Sequence, residues 1–207
     1  MEYLNLIYCW AIDHGVELLG TISGLIYLYL EIKERIWLWP VGIATSALYV
    51  AVFYTSKFYA DMALNIYYVL ISIYGWYQWM FGGDSSKKEN APLRIKRTPI
   101  QFWFWITTSF VVFFILLWWI LDNYTDSPVP LGDAFTTALS IVATWMLARK
   151  YIEHWWLWVV INAVSLGLYV WKGLYPTSIL FFFYTIMAVV GYFKWRTKML
   201  NVGEKGN

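Results

Sequence analysis

The segment 57–79 is apolar enough to enter a bilayer, yet it carries four polar side chains. Their spacings of four, three and four residues place them on one face of a helix. They are Asp61, Asn65, Tyr68 and Ser72. Within hydrocarbon such groups turn inward, to a partner helix or to a cavity that can hold a ligand. Asn65 and Ser72 fit either role, whereas Asp61, near the end of the segment, fits better as a complement to the helix dipole.

A second polar stripe lies in the C-terminal half of the chain. Asn162, Ser165 and Tyr169 follow at spacings of three and four residues, and Asn162 is the only amide between residues 133 and 195. An amide at mid-membrane depth is costly unless it is hydrogen-bonded. We therefore expect Asn162 to contact a ligand.

Aromatic residues supply surfaces on which a flat ligand could stack. Most of the 15 tryptophans and 17 tyrosines cluster towards helix ends, as in an interfacial belt. A few lie deeper, where they could stack on a ring and attract a cationic one. Together with the polar stripes they make up the predicted substrate-binding set, which is Trp39, Asn65, Tyr68, Ser72, Trp158, Asn162, Ser165 and Tyr184.

The sequence offers little for catalysis or metal binding. Cys9 is the only cysteine, and His14 and His154 are far apart in the chain. The sequence contains no glycine-rich phosphate loop, nucleophile–base pair or chain of intramembrane acids. We expect neither an enzyme, an ATP-driven pump nor a nucleic-acid-binding protein, and we expect no cofactor.

The composition predicts an all-α integral membrane protein. Hydrophobic residues make up 60% of the chain and charged residues 14%, against roughly 45–50% and 25% in soluble domains. A span needs about 20 apolar residues, and we predict one membrane domain, 1–207, with seven transmembrane helices. Their predicted bounds are 16–33, 37–56, 59–80, 100–121, 133–151, 155–172 and 175–195. The basic loop 82–99 is predicted to be a solvated connection.

The positions of the cations predict an orientation. Thirteen of the 15 Lys and Arg residues follow the first, third, fifth and seventh predicted helices. Because cationic loops stay in the cytoplasm, we expect the N-terminus outside and the C-terminus inside, in the inner (cytoplasmic) membrane.

An internal repeat relates the two ends of the chain. The stretch "WLWPVGIATSALY" (37–49) is echoed by "WLWVVINAVSLGLY" (156–169) with one extra residue, and five further identities recur at an offset of 116 residues. This predicts a 3+1+3 arrangement of two parallel three-helix repeats, 16–80 and 133–195, joined by the linker helix 100–121. In such folds a substrate binds near the midplane between the halves.

Four stretches identify a family resemblance: "LYLEIKERIWLWPVGI", "FYADMALNIYYVLISIYGWYQW", "LSIVATWMLARKYIEHWWLWVVIN" and "GLYPTSILFFFYTIMAVVGYFKW". They resemble the PnuC family of vitamin transporters over about residues 16–196. The resemblance implies a SWEET-like 3+1+3 fold, a vitamin bound between the two three-helix units, and facilitated diffusion. It also implies trapping of the vitamin by a cytoplasmic kinase, which links the protein to NAD biosynthesis.

The resemblance implies nicotinamide riboside as the substrate, with thiamine as the alternative. Riboside transporters of this family tend to carry a glutamine where this chain has Asn65, and asparagines near Thr45 and Ser72, whereas Asn162 matches. Both vitamins present a flat cationic ring and a polar arm, which aromatic stacking and two amides can bind. A membrane scaffold without transport is a third reading, and a homo-oligomer is compatible with all three.

Overall fold

The structure is a computed structural model that describes residues 15–55, 59–82 and 93–204. Within these ranges the chain forms seven α-helices and no strand, so the predicted all-α class and every predicted helix are confirmed. The helices are α1 Gly15–Ile32, α2 Leu38–Thr55, α3 Tyr59–Phe81, α4 Ile100–Tyr124, α5 Pro130–Ala148, α6 His154–Trp171 and α7 Tyr175–Glu204.

Four helix ends differ from the predicted bounds by three residues or more. Helix α7 continues to Glu204 instead of ending at residue 195, because Arg196, Lys198, Met199 and Leu200 are good helix formers and no proline interrupts the segment. Helix α5 begins at Pro130 rather than 133, since proline is favourable in the first turn. It ends at Ala148 rather than 151 because Lys150 adopts a positive φ of 53°. Helix α4 continues to Tyr124 rather than ending at 121.

Five described segments are long and apolar enough to cross a membrane: α2, α4, α5, α6 and Thr177–Asn201 of α7. Helix α3 carries Asn65, Ser72 and Gln78, which lower its hydropathy. The predicted 3+1+3 arrangement of all seven helices in the bilayer stays a prediction.

Helices α2 and α6 begin and end 116 residues apart, which is the offset found for the sequence repeat. Helix α2 spans Leu38–Thr55, α6 spans His154–Trp171, and each has 18 residues. The turns before these helices also agree, because Glu34 and Lys150 both have a φ of 53°. Two described non-glycine residues 116 positions apart thus share the same unusual backbone conformation.

Side-chain packing corrects one part of the sequence repeat. The "WLW" identity pairs Trp39 with Trp158, but in the structure Trp39 packs on Gly75 and Trp155 packs on Gly191. Trp39 and Trp155 are both fully buried. The structural equivalent of Trp39 is therefore Trp155, which lies about one helical turn before Trp158.

The chain forms two compact units, residues 1–76 and 77–207. In the first, α1 packs against α2, and Leu38 and Trp39 are fully buried. In the second, α5 is the central helix and packs against α4 and α6, while α6 packs against α7. The linker helix α4 thus belongs to the second unit. The core there includes Ile106, Val142, Met146 and Tyr151, and a neighbouring cluster of Leu139, Ala143 and Ile161.

Candidate substrate site

In the first unit, the polar stripe of α3 divides into a packed part and a partly exposed part. Ser72 is buried, and its Oγ lies 3.0 Å from where a Cβ on Gly42 would stand. This places Ser72 at the close approach of α2 and α3. Asn65 and Tyr68 are half-buried, so a ligand could still reach them. The side chain of Asp61 lies outside the described residues.

Trp39 lies in the same unit, under α3. Its ring is fully buried against Gly75, where any side chain would collide with it. The packing that the structure shows for Trp39 joins α2 to α3. Its contact with a substrate stays a prediction.

In the second unit, α6 presents Trp158, Asn162 and Ser165 at spacings of four and three residues, on one face. Asn162 and Ser165 are each 7% exposed, and no hydrogen bond joins either side chain to any described residue. The indole N–H of Trp158 is buried and, within the same part of the chain, also lacks an acceptor. Three neighbouring polar groups thus have unused hydrogen-bonding capacity.

Other buried or half-buried hydroxyl groups of this unit are hydrogen-bonded to their own helices. Ser140 and Thr144 donate to carbonyl oxygens one turn earlier in α5, each at 2.8 Å. Ser178 and Thr185 do the same in α7, at 2.9 and 2.8 Å. Because buried polar groups are rarely left unsatisfied, the unpaired stripe of α6 is the best candidate for ligand contact in the described residues.

Three aromatic rings of α6 and α7 contact one another in succession. Tyr169 of α6 stacks on Phe181 with ring centroids 5.0 Å apart and planes at 28°. Phe181 in turn meets Tyr184 edge to face at 5.8 Å. Tyr184 is half-buried, as a residue that contacts a substrate can be. Of these three residues, only Tyr184 belongs to the substrate-binding set predicted from the sequence. Residue spacing within one helix does not show that Tyr169 and Phe181, on different helices, stack.

A second aromatic cluster lies at the start of α6 and was not predicted. Trp155 is fully buried between the rings of His154, at 4.7 Å, and Trp195, at 5.7 Å. The indole N–H of Trp155 has no acceptor among the described residues. The constant offset to Trp39 was the sequence signal that could have identified it.

The turn between α5 and α6 holds a lysine against an aromatic ring. The Lys150 ammonium stands 4.3 Å from the ring centroid of Trp79 and is almost fully buried. The Trp79 indole N–H donates to the carbonyl oxygen of Leu147 at 3.3 Å. A cation over a ring and a hydrogen bond thus fix the end of α3 to this turn.

The last residues of the basic loop are hydrogen-bonded to the turn before α6, while the side chains of Arg94, Lys96 and Arg97 are exposed, as the prediction of a solvated loop requires. The Lys96 N–H donates to the Lys150 carbonyl at 3.1 Å, and the Ile152 N–H donates to the Lys96 carbonyl at 3.0 Å. Thr98 donates its N–H and its hydroxyl to Glu153 Oε2 at 2.9 and 2.8 Å. Burial, and then the nearby positive charge of Arg149, lower the pKa of the Lys96 ammonium.

Comparison with known proteins gives a consistent picture. Residues 14–197 match the family model described as nicotinamide mononucleotide transporter. The nicotinamide riboside transporter PnuC of Escherichia coli K12 is 28% identical over 204 residues, which cover 87% of this chain and 84% of that protein. PnuC of Neisseria mucosa is 26% identical over 199 residues, which cover 91% of this chain and 74% of that protein.

A relative with a different vitamin in its name is also similar. The riboflavin/roseoflavin transporter RibM of Streptomyces davaonensis is 25% identical, over 86% of this chain and 83% of that protein. The crystal structure of a vitamin B3 transporter PnuC matches with a TM-score of 0.69 and 24% identity, covering 95% of this chain and 87% of that one. That structural likeness shows the fold. The family match and the apolar helices together show a multi-pass membrane protein.

Proposed function

Because this chain belongs to the nicotinamide mononucleotide transporter family, we propose that it takes up nicotinamide riboside across the cytoplasmic membrane by facilitated diffusion. The riboside is the vitamin named for several of its relatives. The observation that carries the proposal is the unpaired polar stripe of Trp158, Asn162 and Ser165. A transporter, unlike a scaffold, has a reason to keep such groups unpaired in the absence of its ligand.

The chemistry of the stripe suits the riboside. An amide both donates and accepts hydrogen bonds, so Asn162 can pair with the carboxamide of a nicotinamide ring. The Trp158 N–H and the Ser165 hydroxyl can bond ribose oxygens, which restores the hydrogen bonds that these buried groups lack. Tyr184 offers a face to the cationic pyridinium ring. Asn65, Tyr68, Trp39 and Ser72 of the first unit stay substrate contacts predicted from the sequence, and the first two are half-buried.

The direction of transport follows from trapping. Facilitated diffusion only equalises concentrations, so net uptake requires a cytoplasmic kinase that converts the riboside to a charged phosphate. We place the C-terminus in the cytoplasm and the N-terminus outside, on the distribution of Lys and Arg. Transport by this scheme does not require a homo-oligomer, although it allows one.

Uptake by proteoliposomes of the purified protein tests the proposal. Labelled nicotinamide riboside, thiamine and riboflavin are compared, because thiamine has a similar cationic ring and RibM is named for riboflavin. We expect the riboside to equilibrate fastest and to accumulate only when a riboside kinase and ATP are enclosed. Faster flux of thiamine or riboflavin would replace the proposed substrate. The absence of flux for all three would favour a scaffold.

A further inference from the structure

An ion pair joins the start of α5 to the end of α6 in the second unit. Lys172 Nζ stands 3.6 Å from Asp133 Oδ1. The Ser127 hydroxyl donates to the other carboxylate oxygen, Oδ2, at 2.7 Å. The two helices approach closely here, as Gly132 shows. A Cβ added to it would lie under 3.0 Å from the Leu168 side chain. Asp133 is thus held in place, and among the described residues its charge is balanced by one long contact to a partly exposed lysine.

The row of aromatic rings that contains Tyr169 starts close to the Asp133–Lys172 ion pair. Tyr169 precedes Lys172, the partner of Asp133, by three residues, which is less than one turn of α6. Tyr169 stacks on Phe181, and Phe181 meets Tyr184. A row of three aromatic rings, each in contact with the next, therefore begins within one turn of the lysine that pairs with Asp133.

The helix rise shows how deep this row reaches. At 1.5 Å per residue, Tyr184 lies about 14 Å along α7 from Tyr175, and Asn162 lies about 15 Å along α6 from Lys172. The midplane of a bilayer is about 15 Å from the edge of its hydrocarbon core. The row of rings thus runs from the helix ends to the depth of the unpaired α6 stripe.

We infer that Asp133 and the stacked rings of Tyr169 and Phe181 form an entry site that selects cationic vitamins before they reach Asn162 and Tyr184. This inference rests on the proposed function and deepens it. The incoming pyridinium ring replaces the Lys172 ammonium beside Asp133 and then passes over the aromatic faces. Partly exposed ion pairs contribute little net stability, so Lys172 is displaced easily.

Asp133 also has a structural reading, since an acid in the first turn of a helix complements the helix dipole. That reading predicts a change in stability on neutralising Asp133, with no dependence on the charge of the ligand. The entry site predicts the opposite, and the two can be separated by transport measurements.

The test is Asp133→Asn in the proteoliposome assay, with benzamide riboside as an uncharged isostere of the substrate. We expect the KM for nicotinamide riboside to rise about fivefold, as for loss of a partly exposed ionic contact, at unchanged maximal rate. The inhibition constant of benzamide riboside should not change. Asp126→Asn, an exposed carboxylate in the preceding loop, is the matched control and should behave as wild type.

Lys172→Gln provides a second variant that leaves Asp133 intact. Removing the competing cation should lower the KM for the riboside about twofold, and high salt should reduce the effects of both variants. If Asp133→Asn matches Asp126→Asn, or weakens the charged and uncharged ligands equally, the entry site is refuted while the proposed function stands. If the wild-type protein carries no riboside, both are refuted.

Discussion

The indole of Trp155 occupies the space beside Gly191, where an added Cβ would lie under 3.0 Å from three ring carbons. The contact brings α6 and α7 together at the point where Trp155 is fully buried. Trp39 and Gly75 make the same contact between α2 and α3. A tryptophan on one helix and a glycine on the next thus form the same packing unit in both halves of the chain.

Gly191→Ala is expected to destabilise the protein by about 1–3 kcal/mol, the usual cost of overpacking. The methyl group would collide with a ring that has nowhere to move. Thermal unfolding in detergent measures the change. Gly167→Ala is the matched control, because nothing lies within 4 Å of its added Cβ. Equal melting temperatures for the two variants would contradict the packing argument, and Trp155→Phe should partly rescue Gly191→Ala.

Lys150 combines a positive φ with a contact to the Trp79 ring, and two substitutions separate these effects. Lys150→Gly and Lys150→Ala both remove the cation, which we expect to cost about 0.5–2 kcal/mol. Only alanine keeps the strain of the left-handed conformation, so it should be less stable than glycine by about 1 kcal/mol. Thermal unfolding of the three proteins measures both differences. A more stable alanine variant would show that the turn adapts without strain.

Glu153 accepts two hydrogen bonds from Thr98, so its removal leaves a backbone N–H without its partner. Glu153→Ala should cost about 1–3 kcal/mol and release the segment 93–99. We expect trypsin to cleave faster after Arg94 and Arg97, as followed by mass spectrometry. Glu153→Gln keeps an acceptor oxygen and should change the cleavage rate much less. Unchanged cleavage in the alanine variant would show that the backbone bridge to Lys96 holds the segment alone.

Asn162→Leu should lower the affinity for nicotinamide riboside about tenfold, since a good hydrogen bond in a buried site is worth roughly 1.4 kcal/mol. Its stability should change little, because Asn162 has no described hydrogen-bond partner to lose. Quenching of tryptophan fluorescence by the riboside measures the affinity. Ser178→Ala, which removes a hydroxyl that already bonds the Leu174 carbonyl, is the control. A stability loss with unchanged affinity would make Asn162 a packing residue.

The helices of this protein could be predicted from the sequence because the lipid environment imposes a simple rule. Long apolar segments must satisfy their own backbone hydrogen bonds, and so they become helices. The ends of the helices were harder to place, as at α7, which runs past residue 195 to Glu204. Beyond the apolar segment, helix propensity decides the end, and it changes only gradually along "RTKML".

The spacing of the polar residues predicted which of them share a helix face, but it did not predict whether their side chains are hydrogen-bonded. The sequence placed Asn162 and Ser165 on one face, since helical periodicity is a local property. Whether such groups bond their own helix, as Ser140 does, or stay unpaired depends on side-chain rotamers and neighbours. Only the tertiary structure separates the two cases.

The sequence by itself determined the helical membrane class, the family resemblance and the repeat, because these depend on apolar length, charge and residue identity. The tertiary structure decided which tryptophans are equivalent. Matching letters paired Trp39 with Trp158, whereas packing on Gly75 and Gly191 pairs Trp39 with Trp155. Aromatic-rich helices repeat residue types by composition, whereas these two indoles share a specific packing contact, each filling the space that a glycine leaves on the next helix.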